Sequence, residues 1–293
     1  MRPTTKMTTT TSKTIGRLAL EAMLVEVSVT PKPGLVDREN SGAHRDMGFF
    51  TFLKSAAGLR NAFDQFAEAG FRAGREGLEP SGLFPELRRI GLIAERDMFT
   101  ATNGVNTHKG EIFSLGVVSG SAGYLSGLGE SLTGEGVLSM AGAVCSGLCE
   151  RDFSETKKKA PDSLTKGERA YLDYGITGIR GEAESGYPIV RKTALPQLVK
   201  YLAVVPSMND ALALTLLHII AENFDTNILS RHNVSTLREV MASARRLIDS
   251  GAGLQELREL DSEFIARNIS PSGSADLLAV TYFVHALTQT SPN

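Results

Sequence analysis

The chain has 293 residues, 42% of them hydrophobic, enough for one large domain or two modest ones with a proper core. Its formal net charge of -2 excludes a nucleic-acid or anionic-membrane binder that works through a basic stripe or tail. Two cysteines, Cys145 and Cys149, one helical turn apart in an apolar run, make neither a disulfide framework nor a zinc site and read as small core residues of a reducing compartment.

Residues 1–13 are polar and Thr-rich, without the apolar stretch of a secretory signal. They read as a disordered tail, with Met7 as an alternative start, ahead of a domain over residues 14–293. No apolar run reaches the roughly 20 residues that span a bilayer, so a cytoplasmic protein is expected. Beyond the tail the periodicity is helical almost throughout. Ile15 to Val29 puts Leu18, Ala22, Val25 and Val29 on one stripe and stops at Thr30-Pro31-Lys32-Pro33-Gly34. Met47 to Phe66 predicts a second helix with Phe50, Leu53, Ala57 and Phe66 inward. Gly70 to Gly82 reads as a glycine-spaced connector, and Glu86 to Ala101 as a third helix.

Glu111 to Leu128 is the fourth. Its Gly116, Gly120, Gly123 and Gly127 cost helix propensity of about 1 kcal/mol each and let another backbone come close, which marks a central helix. Val137 to Glu150 follows, then a charged loop over Arg151 to Asp162 whose Lys157-Lys158-Lys159 reads as solvated surface. Ser163 or Thr165 caps a short helix to Tyr174, and Gly175 to Pro188 is irregular. Arg191 to Val204, Asp210 to Glu222 (capped by Asn209), a helix to Asp249 (capped by Ser235 or Thr236), Leu254 to Ile269 and Ala275 to Thr288 complete the set. No run of alternating β-branched residues is bounded by hairpin signals. The expectation is an all-α, single multi-helix domain with functional loops between helices.

Five loops carry more polar chemistry than a connector needs. Thr30 to Asp46 holds Lys32, Asp37, Arg38, Asn40, His44, Arg45 and Asp46, a mixture suited to phosphate and metal. Gly104 to Gly110 packs Asn106, Thr107, His108 and Lys109 against a helix start, whose free N–H groups and dipole favour an anion. It is not a Walker A loop, because Lys109 precedes the last glycine. In Gly178 to Gly186, Arg180 can fork onto a phosphate and Glu182 can orient it or bind a sugar hydroxyl. Asn223 to Asn227 offers Asp225 and Asn227, hard oxygen ligands for Mg²⁺. Ile269 to Asp276 starts the last helix.

The stretches EVSVTPKPGLVDRENSGAHRDM, GVNTHKGEIFSLG, GIRGEAESGYP, DTNILSRH and SPSGSADLLA, in that order from Glu26 to Ala279, resemble the triphosphoribosyl-dephospho-coenzyme A synthase family. Ser272 and Asn233 depart from it, each standing where a glycine is expected. The resemblance implies attack of the 2′-hydroxyl of 3′-dephospho-CoA on C1 of the ATP ribose, with adenine leaving. The product is the prosthetic-group precursor of citrate lyase or malonate decarboxylase, handed to a holo-acyl-carrier-protein synthase. Within that reaction Lys32, Arg38, Asn106, Thr107, Lys109 and Arg180 are the expected phosphate binders. His108 is the first candidate for acid or base, with Asp37 and Glu182 beside it. Asp225 and Asn227, with Asp46 behind them, are the expected Mg²⁺ ligands. Two other readings use the same loops: a helical Mg²⁺-dependent phosphohydrolase or kinase-like enzyme, and a nucleotide- or CoA-binding module without turnover.

Overall fold

The computed structural model describes residues 5–154 and 156–290, and no strand occurs among the described residues. The all-α expectation holds. The N-terminal half consists of α1 (Thr5–Ser28), α2 (Phe49–Gly58), α3 (Arg60–Glu76), α4 (Pro80–Ala101) and α5 (Lys109–Leu128). Next come α6 (Gly134–Val144), α7 (Leu148–Phe153), α8 (Lys166–Tyr174) and α9 (Gly178–Glu184). A π-helical turn, Val190–Ala194, leads into α10 (Leu195–Leu202). The series closes with α11 (Met208–Glu222), α12 (Thr226–Arg231), α13 (Val234–Asp249), α14 (Leu254–Ala266) and α15 (Ser272–Thr290). Residues 5–13, expected as tail, lie in the first turns of α1, where Ser12 is buried and donates to Glu68 at 3.0 Å. Residues 1–4 lie outside the described residues.

α5 is the central helix its glycines predict. It is buried on all sides from Ile112 to Leu125, apart from Phe113, and packs most extensively on α3. The two backbones nearly touch. A Cβ on Gly123 would lie 2.1 Å from the Ala67 carbonyl oxygen, and one on Gly127 2.3 Å from that of Phe71. α3 answers in kind: a Cβ on Gly70 would sit 1.9 Å from the Gly120 oxygen, and one on Gly74 2.2 Å from the Tyr124 oxygen. Gly70 and Gly74 are therefore contact points inside a helix, and the connector expected over Gly70 to Gly82 shrinks to the turn after Gly77.

The expected helix over Met47 to Phe66 is divided at Leu59, and its inward face differs from the one predicted. Phe66 is buried as predicted, but Phe50 is 75% exposed and Ala57 is exposed, whereas Ser55, Ala56, Leu59 and Phe63 are buried. A serine can join this stripe because its hydroxyl is hydrogen-bonded to Thr107 and His108. Two caps also differ. Ser207, not Asn209, accepts from Asp210 N at the start of α11, and Asn233, not Ser235 or Thr236, accepts from Thr236 N at the start of α13. Thr165 caps α8 as expected, through a reciprocal box with Glu168. Cys145 is buried in the core, and burial pushes its thiol up to about 12.

Candidate active site

The polar loops converge on a cleft of ≈ 550 Å³ at one end of α5. Its walls come from the end of α1, residues 32–47, residues 106–111, α9, residues 223–227 and the start of α15. All five loops thus supply wall residues from stretches far apart in sequence, the third from within α9 and the fifth where it enters α15.

Residues 30–42 form a self-braced turn. The Asp37 carboxylate accepts from Glu39 N at 2.7 Å and Asn40 N at 3.0 Å through one oxygen, and from Lys32 N at 3.1 Å through the other. Its hydrogen bonding is thereby committed to the loop, and it does not line the cleft. Arg38 is exposed, also outside the cleft, and donates to Asn209 at 3.1 Å. Lys32 does line the cleft, but as a 1% exposed ammonium paired with Glu26. Asp46 stands on the rim, its side chain 65% exposed.

Asn106, Thr107 and Lys109 line the cleft; His108 between them does not. The imidazole is 1% exposed, edge-on to Phe52 at 4.7 Å, with Nδ1 2.7 Å from Ser55 Oγ. Burial, with the nearby Lys32 charge, brings it down to about 3, so it is neutral at ordinary pH. Its Nε2 finds no partner among the described residues. The space beside Gly110 is taken by Asp276: a Cβ there would lie 1.9 Å from Asp276 Oδ2.

α9, in a stretch expected to be irregular, carries Arg180 and Glu182 to the cleft wall. Arg180 Nε donates to Asp152 at 2.8 Å. Glu182 Oε2 accepts from Ile189 N at 3.3 Å. Burial raises the Glu182 carboxyl to about 7, and the charge of Glu222 adds to this. It therefore exchanges a proton near neutrality. Asp225 is 2% exposed; it caps α12 by accepting from Asn227 N at 2.8 Å and accepts from Ser274 N at 3.1 Å. Asp225 and Asn227 both line the cleft.

Three carboxyls that are not among the expected site residues lie in helices. Glu26 near the end of α1, Glu111 in the first turn of α5 and Asp276, just past the first turn of α15, all line the cleft. Burial pushes all three above the usual carboxylate range; the charges of Glu26 and Asp276 raise Glu111 further. Their signal was present, since each falls within one of the five quoted stretches. Arg231 and His44 join the wall as well.

The lining thus holds six carboxyls, Glu26, Asp46, Glu111, Glu182, Asp225 and Asp276, against four strong bases, Lys32, Lys109, Arg180 and Arg231. Such a cleft can hold a metal–polyphosphate complex and stabilise positive charge developing on a sugar.

The family model for ATP:dephospho-CoA triphosphoribosyl transferase (CitG) matches residues 12–293. A crystal structure from Archaeoglobus fulgidus, provisionally described as a triphosphoribosyl-dephospho-coA synthase, is 16% identical to this chain. It aligns over 80% of this chain and 98% of that one, with a TM-score of 0.47. The match over residues 12–293 takes in every residue of the cleft, and the chain belongs to the ATP:dephospho-CoA triphosphoribosyl transferase family, enzymes that carry the triphosphoribosyl group of ATP to dephospho-CoA.

Proposed function

We propose that the cleft holds ATP and that Glu182 is the general base of the transfer. Glu182 takes the proton of the 2′-hydroxyl of dephospho-CoA as that oxygen bonds to C1 of the ATP ribose. The N-glycosidic bond breaks, adenine leaves with its electrons and is protonated by water, and the triphosphate stays on the transferred sugar. The observation that carries this assignment is a cleft-wall carboxyl brought to about 7, where a base combines strength with the right protonation state.

Arg180 and Lys109 are the triphosphate contacts in this reading, with Asn106 and Thr107 beside them. Asp37 and Arg38 serve by shaping the loop that carries Lys32. His108 serves by fixing Ser55 and Thr107, since it does not line the cleft.

The residues present fit magnesium. Glu111 Oε2 is buried without a hydrogen-bond partner among the described residues, and carboxyls outnumber bases in the lining. Among the described residues no three acidic, imidazole or thiol groups form a cage for a metal. Magnesium keeps several waters and shares its shell with substrate phosphates. Glu111, with Asp225, Asn227 and the rim residue Asp46, would hold it, and it would neutralise triphosphate charge.

The product in this reading is the prosthetic-group precursor for the carrier protein of citrate lyase or malonate decarboxylase, passed in the cytoplasm to a holo-acyl-carrier-protein synthase. Glu182→Gln tests the catalytic assignment: turnover should fall about 10²–10⁴-fold while ATP binding is kept. Turnover within threefold of the parent would remove Glu182 from the mechanism.

A further inference from the structure

We propose that a second cavity, adjoining the cleft, seats the diphosphate–pantetheine arm of dephospho-CoA; the assignment rests on the transfer reaction given above. This chamber, of ≈ 490 Å³, lies between α4, the first half of α5, α7, residues 159–168 and Arg180. Lys109 and Arg180 line both cavities and form the seam between them. Each volume falls in the roughly 300–1,000 Å³ range of small-molecule sites. The reaction needs two nucleotide substrates whose reacting atoms meet at about 3–3.5 Å. Two chambers with a shared wall meet that requirement, with the acceptor ribose at the seam.

Three observations favour the acceptor over ATP in this chamber. The first is charge. Its lining holds five bases, Arg88, Lys109, Arg151, Lys159 and Arg180, against three carboxyls, Glu95, Asp152 and Glu168. The excess of two positive charges lies at the seam, in Lys109 and Arg180, so a diphosphate seated there shares these two cations with the triphosphate, whereas the acid-rich cleft suits a metal-bound triphosphate. Lys159 is exposed, as expected of solvated surface, and pairs here with Glu168 at 2.5 Å.

The second is the apolar wall. Phe84 and Phe113 meet edge-on at 6.5 Å, and Phe153 stacks on Tyr171 at 4.2 Å. The Arg88 guanidinium lies 5.0 Å over Phe84, and that of Arg180 5.7 Å over Phe153. Both guanidiniums are tied to Asp152, at 2.6 and 2.8 Å. Fixed cations beside aromatic faces suit a diphosphate that continues into an uncharged arm.

The third is Gly91, inside α4 on the chamber wall. A helix-interior glycine costs about 1 kcal/mol against alanine. The packing does not demand it: a Cβ there would meet only a Phe66 ring carbon, at 3.8 Å. A glycine that the protein's own atoms do not require keeps the chamber open for a ligand.

The test uses wild type, Gly91→Leu and the milder Gly91→Ala, with initial rates of adenine release at varied ATP and dephospho-CoA and with 4′-phosphopantetheine as inhibitor. Gly91→Leu should raise KM for dephospho-CoA at least tenfold and leave KM for ATP within twofold. 4′-Phosphopantetheine should compete with dephospho-CoA in wild type and weaken at least tenfold in Gly91→Leu. An unchanged KM for dephospho-CoA, or a rise confined to ATP, overturns the assignment. Should Gly91→Leu fail to fold, the inhibition pattern in wild type decides: competition with ATP, or no inhibition, overturns it. A wild type that releases no adenine refutes the transfer reading instead. Calorimetry with 4′-phosphopantetheine then judges the chamber alone: binding to wild type that Gly91→Ala weakens supports it, and no binding overturns it.

Discussion

Asn209 grips the Thr30 peptide from both sides: its Nδ2 donates to the Thr30 carbonyl at 2.7 Å and its Oδ1 accepts from Thr30 N at 2.9 Å. This links α11 to the loop that presents Lys32, across 179 residues of sequence. Thr30 is 6% exposed, so Asn209→Ala leaves a buried peptide without its partners. The expected loss is about 1–3 kcal/mol, read as a lower urea midpoint. A midpoint equal to the parent's would show that the grip adds nothing.

Glu182 gives a pH signature in both rate and stability. As a base it works ionised, so kcat/KM should climb with pH and level off above about 7. Stability should move the other way. Between its ordinary 4.5 and about 7 the folded protein keeps a proton that the unfolded chain has lost, so unfolding free energy falls as pH rises through that window. The drop is on the order of 3 kcal/mol. Glu182→Gln should remove both effects, and pH-dependent urea titrations alongside rate profiles check them together.

His108 predicts an acid limb. Its folded value of about 3 lies below its ordinary 6.5, so the unfolded chain binds a proton first as pH falls. Stability from this group is complete above 6.5 and is lost as pH drops toward 3, by on the order of 5 kcal/mol. His108→Gln should flatten that limb and keep turnover within about tenfold of the parent. A loss of several hundredfold at unchanged stability would return the imidazole to the chemistry.

The α3–α5 contact predicts a steep steric penalty. Gly123→Ala puts a methyl 2.1 Å from a backbone oxygen that cannot rotate away. Destabilisation of roughly 1–3 kcal/mol or more is expected, measurable as a drop in thermal midpoint. Gly91→Ala, with open space beside it, should instead keep or raise the midpoint.

The parts of this molecule that follow a local rule were legible. The glycines of α5 announced a close helix contact because small residues at helical spacing have few other uses there. Thr165 announced a cap, and all five polar loops reached the cleft. Illegible features depend on partners distant in sequence. The burial of His108 follows from Ser55 and Phe52, and the confinement of Asp37 to its turn follows from where Lys32, Glu39 and Asn40 place their N–H groups. Glu26, Glu111 and Asp276 sit at helical positions that resemble solvent-facing acids until three helix ends are brought together. The second chamber was hidden for the same reason, since Gly91 and Phe113 looked like ordinary helix residues.

The fate of adenine tests the transfer reaction most directly. The protein is incubated with ATP, Mg²⁺ and 3′-dephospho-CoA, and free adenine is separated by chromatography beside omission controls, with the coenzyme product weighed by mass spectrometry. Adenine is expected only when both substrates are present, matched mole for mole by a dephospho-CoA carrying an added triphosphoribosyl mass. Phosphate or diphosphate release without adenine would contradict the transfer reaction.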